Sequence, residues 1–167
     1  MERLEQVLRE LRPLAPLNWS PLENLHITTK FIGAWPEERL AELTHALAEI
    51  RPPAAFPVTI AGFVQKPRML FAGVHVGPEL ATLARQVEAS LVPLGVPREQ
   101  GAYTPHVTLA RIGDKPVGAV REHIANMNNP DFGTFPVTEF HLNSSRTRRG
   151  GSRSYEILTS FPLGSRS

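Results

Sequence analysis

One short phrase occurs twice in this chain, and that recurrence limits the folds open to it. The first copy is His26-Ile27-Thr28-Thr29 and the second is His106-Val107-Thr108-Leu109, with the two histidines 80 positions apart in 167 residues. Both copies are rich in β-branched and apolar residues, which favours extended structure. Side chains alternate with a period of two in a strand, so His and Thr share one face while Ile27 and Val107 share the other. The spacing therefore predicts two strands, over 25–32 and from 106, each offering an imidazole beside a hydroxyl.

The flanking pattern repeats at the same offset. Leu4, Val7, Leu8 and Leu11 stand at helical spacing over 2–12 and stop at Pro13. A connector with Pro13, Pro16 and Pro21 leads to the first His phrase, then Gly33 and Pro36 introduce a helix lined by Leu40, Leu43, Leu47 and Ile50. Stretches 56–64 and 69–76 read as a hairpin turning at Gln65-Lys66-Pro67-Arg68. The order then recurs. A helix over 78–92 carries Leu80, Leu83, Val87 and Leu91, and a connector leads to the second His phrase. Gly113 and Pro116 precede a helix lined by Val117, Val120, Ile124 and Met127. Strands are expected over 135–143 and 154–162. Agreement of several landmarks at one offset indicates internal duplication. The expected domain is two-lobed, with helix, strand, helix and hairpin in each unit and the two histidines across one cleft. Residues 1–163 form one domain, with units of about 1–76 and 77–163, and 164–167 read as a loose tail.

Several classes of function are set aside by composition. The chain has no cysteine, which excludes disulfides and thiolate metal sites and suits a reducing cytoplasm. It lacks an apolar run long enough to span a membrane, and the charged opening Met1-Glu2-Arg3-Leu4-Glu5 is unlike a signal peptide. His45, His75, His123 and His141 fall on helices or hairpin strands without metal-ligand spacing, so no metal or cofactor is expected. Arg146, Arg148, Arg149 and Arg153 crowd one Gly- and Ser-containing stretch, which fits either a solvated loop or an anionic partner.

Two imidazoles facing each other suit acid–base work near neutral pH, one taking a proton from water and the other giving one to a leaving group. Thr28 and Thr108 can donate hydrogen bonds to developing negative charge. Lys30 shares the parity of His26 and would add positive charge. Tyr103, Phe63 and Phe71 have the chemistry to stack on a base, although packing suits the two phenylalanines better.

The two phrases and their flanks, Asn24-Leu25-His26-Ile27-Thr28 to Phe31-Ile32-Gly33 and Tyr103-Thr104-Pro105-His106-Val107-Thr108-Leu109-Ala110-Arg111, resemble the paired H-x-T-x motifs of the 2H phosphoesterase superfamily, in its RNA 2′,3′-cyclic phosphodiesterase (2′-5′ RNA ligase) branch. The resemblance implies a bilobal α+β fold with antiparallel sheets around a central cleft, and metal-independent hydrolysis of RNA 2′,3′-cyclic phosphate ends to 2′-phosphomonoesters, with reversible 2′-5′ ligation as a side reaction. It implies His26 as acid, His106 as base, and Thr28 and Thr108 on the phosphate oxygens. The branch often carries an Arg five residues after the second His, where Arg111 stands. Strict alternation puts Arg111 on the face opposite His106, so it reaches a phosphate only if the strand twists, bulges or ends before it. The family also begins with a short strand ahead of its first helix, whereas this sequence reads from the helix: either the start is trimmed or misassigned, or the chain does without that strand, and an uncovered sheet edge then invites pairing with another chain. The same two histidines would suit small cyclic nucleotides, 2′-5′ oligonucleotides or ADP-ribose cyclic phosphate. An RNA-end binder without turnover is the reading from another class. Oligomeric state is not legible.

Overall fold

Helical spacing of apolar residues decides the first element. In the computed structural model, which describes residues 2–128, 130–147 and 153–164, helix α1 spans Glu2–Leu11 and buries Leu4, Val7, Leu8 and Leu11. Glu2 and Glu5 lie in its first turn, where the helix dipole favours negative charge. Pro36 leads through a 3-10 turn, Glu37–Arg39, into helix α2, Leu40–Ala48, which buries Leu43 and Leu47. Helix α3, Glu79–Leu91, buries Leu80, Leu83, Val87 and Leu91, and helix α4, Gly118–Ala125, buries Val120. Among the described residues no helix is long and apolar enough to cross a membrane.

The strands are β1 (Asn18–Trp19), β2 (Phe56–Gln65), β3 (Met69–Val76), β4 (His106–Arg111), β5 (Asp131–Val137), β6 (Glu139–Thr147) and β7 (Arg153–Pro162). They form an antiparallel five-stranded sheet, ordered β1-β4-β3-β2-β5, and an antiparallel two-stranded sheet of β6 and β7. Residues from all four helices and both sheets share one apolar core, from Leu4 and Leu8 to Phe132, Leu142 and Phe161. The sequence units do not build separate sheets: β4 of the second unit lies beside β3 of the first.

Three expectations need correction. The first His phrase is not a strand: only Ile27 forms a backbone bridge, to Val107, and Thr29 lies in a bend. It has no strand partner along its length, so its extended propensity is not converted into a ladder. The stretch expected as one strand over 135–143 is two, because at Thr138 the chain passes from β5, paired with β2, to β6, paired with β7. Gly164, read as loose tail, donates its N–H to the Pro53 carbonyl at 2.9 Å and bridges Ala54 in parallel. The rest of that tail lies outside the described residues, as do Arg148 and Arg149 of the arginine cluster. Among the described residues β6 pairs only with β7, so its other edge carries no strand.

A bulge in β2 shapes the sheet beside the second phrase. In β2, Ala61 and Gly62 together face the single residue Gly73, since Ile60 pairs with Val74 and Phe63 with Ala72. Gly62 takes φ +76°, a conformation that L residues with a side chain rarely adopt. The bulge presses the Ala61 carbonyl against Gly73, where any Cβ would collide with its oxygen. Gly73 is also the register partner of His106. Substitution Gly73→Ala is expected to cost about 1–3 kcal/mol, the usual penalty for overpacking. Urea unfolding of the variant against wild type measures it, and an unchanged midpoint would show that β2 yields freely.

Candidate active site

Where the two phrases meet follows from one backbone contact. Ile27 and Val107 are antiparallel partners, so His26 lies across from Thr108, and Thr28 across from His106. Residues directly opposite in such a pair have Cβ atoms about 4.5–5.5 Å apart. Val107 is buried and Ile27 packs against the core, which leaves the His and Thr side chains on the other face. Each histidine is thus beside the threonine of the other copy.

The two imidazoles are anchored alike. His26 Nδ1 is 2.6 Å from the Asn24 carbonyl oxygen and His106 Nδ1 is 3.1 Å from that of Thr104, two residues back in both cases. A carbonyl oxygen can only accept, so each Nδ1 carries the hydrogen and each Nε2 is left to exchange protons. Each ring also rests on an aromatic from the other unit's hairpin. His26 lies edge-on to Tyr155 at 4.7 Å between centroids, and His106 tilts over Phe71 at 4.1 Å. Asn24 is bound twice, since its side chain donates to the Arg153 carbonyl at 2.7 Å while its own carbonyl holds His26.

A small pocket of about 180 Å³ brings His26, Thr28, Thr108, Arg111, Arg153 and Tyr155 together. His106 does not line it; the register places that residue across from Thr28. A larger cavity of about 970 Å³ also touches His26 and Thr28 and continues between α2, α3 and β6 over mainly apolar side chains. Hydroxyls and guanidiniums converge on the small pocket.

Arg111 reaches that pocket because β4 bulges. Phe71 pairs with Thr108 and Leu70 with Ala110, so Leu109 is the extra residue. Leu109 and Ala110 are both fully buried, one after the other, and Arg111 emerges exposed. One shift in alternation carries it from the Val107 face to the Thr108 face.

Lys30 does not fit its expected place. Its side chain is only 3% exposed, and its ammonium is bound to the Pro97 carbonyl at 2.7 Å and to Glu88 and Glu99 at 3.4 Å each. The parity argument assumed a regular strand through Thr29, which the bend removes. Glu88 also accepts the Glu99 backbone N–H, and that bond, followed by the attraction of Lys30, holds its carboxyl below the usual range. Tyr103 is likewise engaged, its hydroxyl donating to the Thr28 carbonyl at 2.8 Å. Phe63 packs on Phe132 and Phe71 on His106. Asn24 and Tyr155 at the histidines went unassigned in the sequence, and Phe71, for which packing was the better-suited reading, packs on His106. Only the recurrence of an aromatic in each second hairpin strand hinted at two of them. Among the described residues no three His, Asp or Glu side chains converge as a metal ion requires.

Burial pushes the Tyr103 phenol up to about 12. The folded state thus keeps this proton where an unfolded chain, near 10, releases it. Stability from this group is full below pH 10 and is lost as pH rises towards about 12. Absorbance titration of wild type minus Tyr103→Phe should give a difference transition near 12; a transition near 10 would mean that the phenol is not held.

A family model described as 2′-5′ RNA ligase superfamily matches residues 2–149. The chain is 34% identical over 136 residues to an RNA 2′,3′-cyclic phosphodiesterase of Aeropyrum pernix, covering 77% of each chain. It is 30% identical over 151 residues to one of Archaeoglobus fulgidus, covering 86% of this chain and 83% of the other. Among solved structures, Escherichia coli LigT complexed with 3′-AMP superposes with a TM-score of 0.78 at 25% identity, covering 97% of this chain and 90% of that one. TT0787 of Thermus thermophilus gives 0.77 at 25% identity, covering 98% and 91%.

Proposed function

We propose that this chain, which belongs to the 2′-5′ RNA ligase superfamily, hydrolyses RNA 2′,3′-cyclic phosphate ends to 2′-phosphomonoesters, with His26 and His106 as its acid–base pair. The observation that carries the reading is the matched anchoring of the two imidazoles, each across from the other copy's threonine. Relatives named RNA 2′,3′-cyclic phosphodiesterases supply the substrate class.

In this reaction neutral His106 takes a proton from water through Nε2 as the water oxygen bonds to phosphorus. The bond from phosphorus to the 3′ oxygen breaks, and protonated His26 gives its Nε2 proton to that oxygen. The products are a 2′-phosphate and a free 3′-hydroxyl. Nδ1–H stays on its carbonyl in both charge states of both rings, so only Nε2 changes. The assignment of acid and base follows the family resemblance. With a 5′-hydroxyl in place of water the same step opens the cyclic phosphate with the roles unchanged and forms a 2′-5′ linkage, and cleavage of that linkage back to the cyclic phosphate exchanges them.

Negative charge on the non-bridging oxygens needs donors fixed in advance. Thr28, Thr108 and Arg111 meet around the pocket beside His26 and are assigned to them. Acid, base and charge stabilisation are all met by side chains, so the mechanism calls on no metal step. Arg153 in the same pocket and Arg146 on the larger cavity extend positive charge along a polyanion's path.

The test is an RNA ending in 2′,3′-cyclic phosphate, incubated with EDTA. Wild type should convert it to a 2′-phosphate, and His26→Ala or His106→Ala should each lose about 10²–10⁴-fold in rate. Wild type that binds this RNA and leaves it intact would sink the proposal in favour of an end-binding module. Thr108→Val and Arg111→Gln should each lower kcat by roughly 10²–10³-fold, as removal of an oxyanion donor does. Raised salt should weaken binding of an oligonucleotide more than that of a cyclic mononucleotide. Equal salt dependence would move the substrate to the small cyclic nucleotides.

A further inference from the structure

The first His phrase makes a single backbone bridge, yet its two polar side chains must be held to within a fraction of an ångström to act with the second phrase. Something other than a strand ladder has to hold them. Two side chains do so from one side. Tyr103 donates to the Thr28 carbonyl, and Lys30 binds the Pro97 carbonyl together with Glu88 and Glu99. Tyr103 itself and the partners of Lys30 all belong to the end of α3 and to the loop that runs from 95 into His106. Glu99 closes the group by donating its backbone N–H to Glu88.

We propose that Lys30 and Tyr103 are positioning residues that lock the first His-x-Thr phrase to the loop delivering the second, and so set the separation of the two histidines. The inference rests on the proposed reaction for its kinetic consequence only; the lock itself is a physical coupling between two segments. A lysine serves here because a long stem can reach through the protein and present three donors to one carbonyl and two carboxylates. The Lys30 side chain is covered at 3% exposure while Glu88 and Glu99 face water at 21% and 61%, so what fixes the node is the number of its bonds and the enclosed stem. Tyr103 holds the Thr28 carbonyl from the same loop, so the phrase is tied to it at two residues, Thr28 and Lys30. Neither side chain needs to touch substrate.

The experiment compares wild type with Lys30→Met, Tyr103→Phe and their double variant by kinetics and by amide hydrogen exchange. Because Lys30→Met leaves two carboxylates without their cation, Lys30→Met/Glu88→Gln is made alongside it, and thermal unfolding shows that each is folded. The lock predicts that kcat on the cyclic-phosphate RNA falls on the order of 10- to 100-fold while KM changes little. It also predicts that exchange quickens at residues 27–30 and 98–105 together, with β2 and β3 unaffected. The two single losses should be less than additive, since either breach frees the same pair of segments. A folded Lys30→Met/Glu88→Gln protein with wild-type exchange in both segments would overturn the lock. A raised KM with kcat unchanged would make Lys30 a binding group instead. Should wild type prove inactive on this RNA, the reaction fails, and exchange still decides for or against the lock.

Discussion

The meeting of Ile27 with Val107 is the contact on which the placement of the polar groups depends. An antiparallel bridge relates its two sides by a local twofold, and here the two sides are copies of one sequence. Whatever stands one residue before Ile27 therefore faces whatever stands one residue after Val107. With His before and Thr after in both copies, the result is a crossed pair of His–Thr contacts from one contact. A slip of the first phrase by one residue would turn His26 and Thr28 toward the core and the isoleucine outward. The burial of Val107 at 5% exposure stands against that slip.

Holding an imidazole by a neutral carbonyl has a chemical consequence. A carboxylate at Nδ1 would stabilise the charged ring and bias it toward staying protonated. The Asn24 and Thr104 carbonyls carry no such charge; they orient the rings, select the Nδ1–H form and leave Nε2 as the atom that exchanges protons in the proposed reaction.

Much of this was legible from residue order, and what was not has a definite cause. Helix faces such as Leu4, Val7, Leu8 and Leu11 were readable because burial follows local periodicity. His26 and His106 were readable because recurrence at a fixed offset is rare without duplication. Arg111 was half legible. Alternation ruled it out unless the strand bulged, and a bulge at Leu109 depends on how Leu70 and Phe71 pair, which no local pattern records. Lys30 was misplaced for the opposite reason. Period-two logic was applied through Thr29, where the backbone bends, and the carboxylates that capture the ammonium lie about 60–70 residues away in sequence. Asn24 had no local signal, since one of its two partners is on β7.

Duplication also explains why the two copies, alike in sequence, are supported so differently. In the second copy, β4 lies between β3 and β1 and inherits its geometry from a sheet. The first copy has one bridge, a bend, and side-chain bonds to α3 and its following loop. The hairpins compensate by crossing over, so that Phe71 of the first unit supports the second His, and Tyr155 of the second unit supports the first. Each half of the site thus depends on the other unit for its packing, and neither unit can form a complete half alone. A cleft built in this way couples its chemistry to the integrity of the whole core, because loosening either hairpin disturbs the imidazole of the opposite phrase.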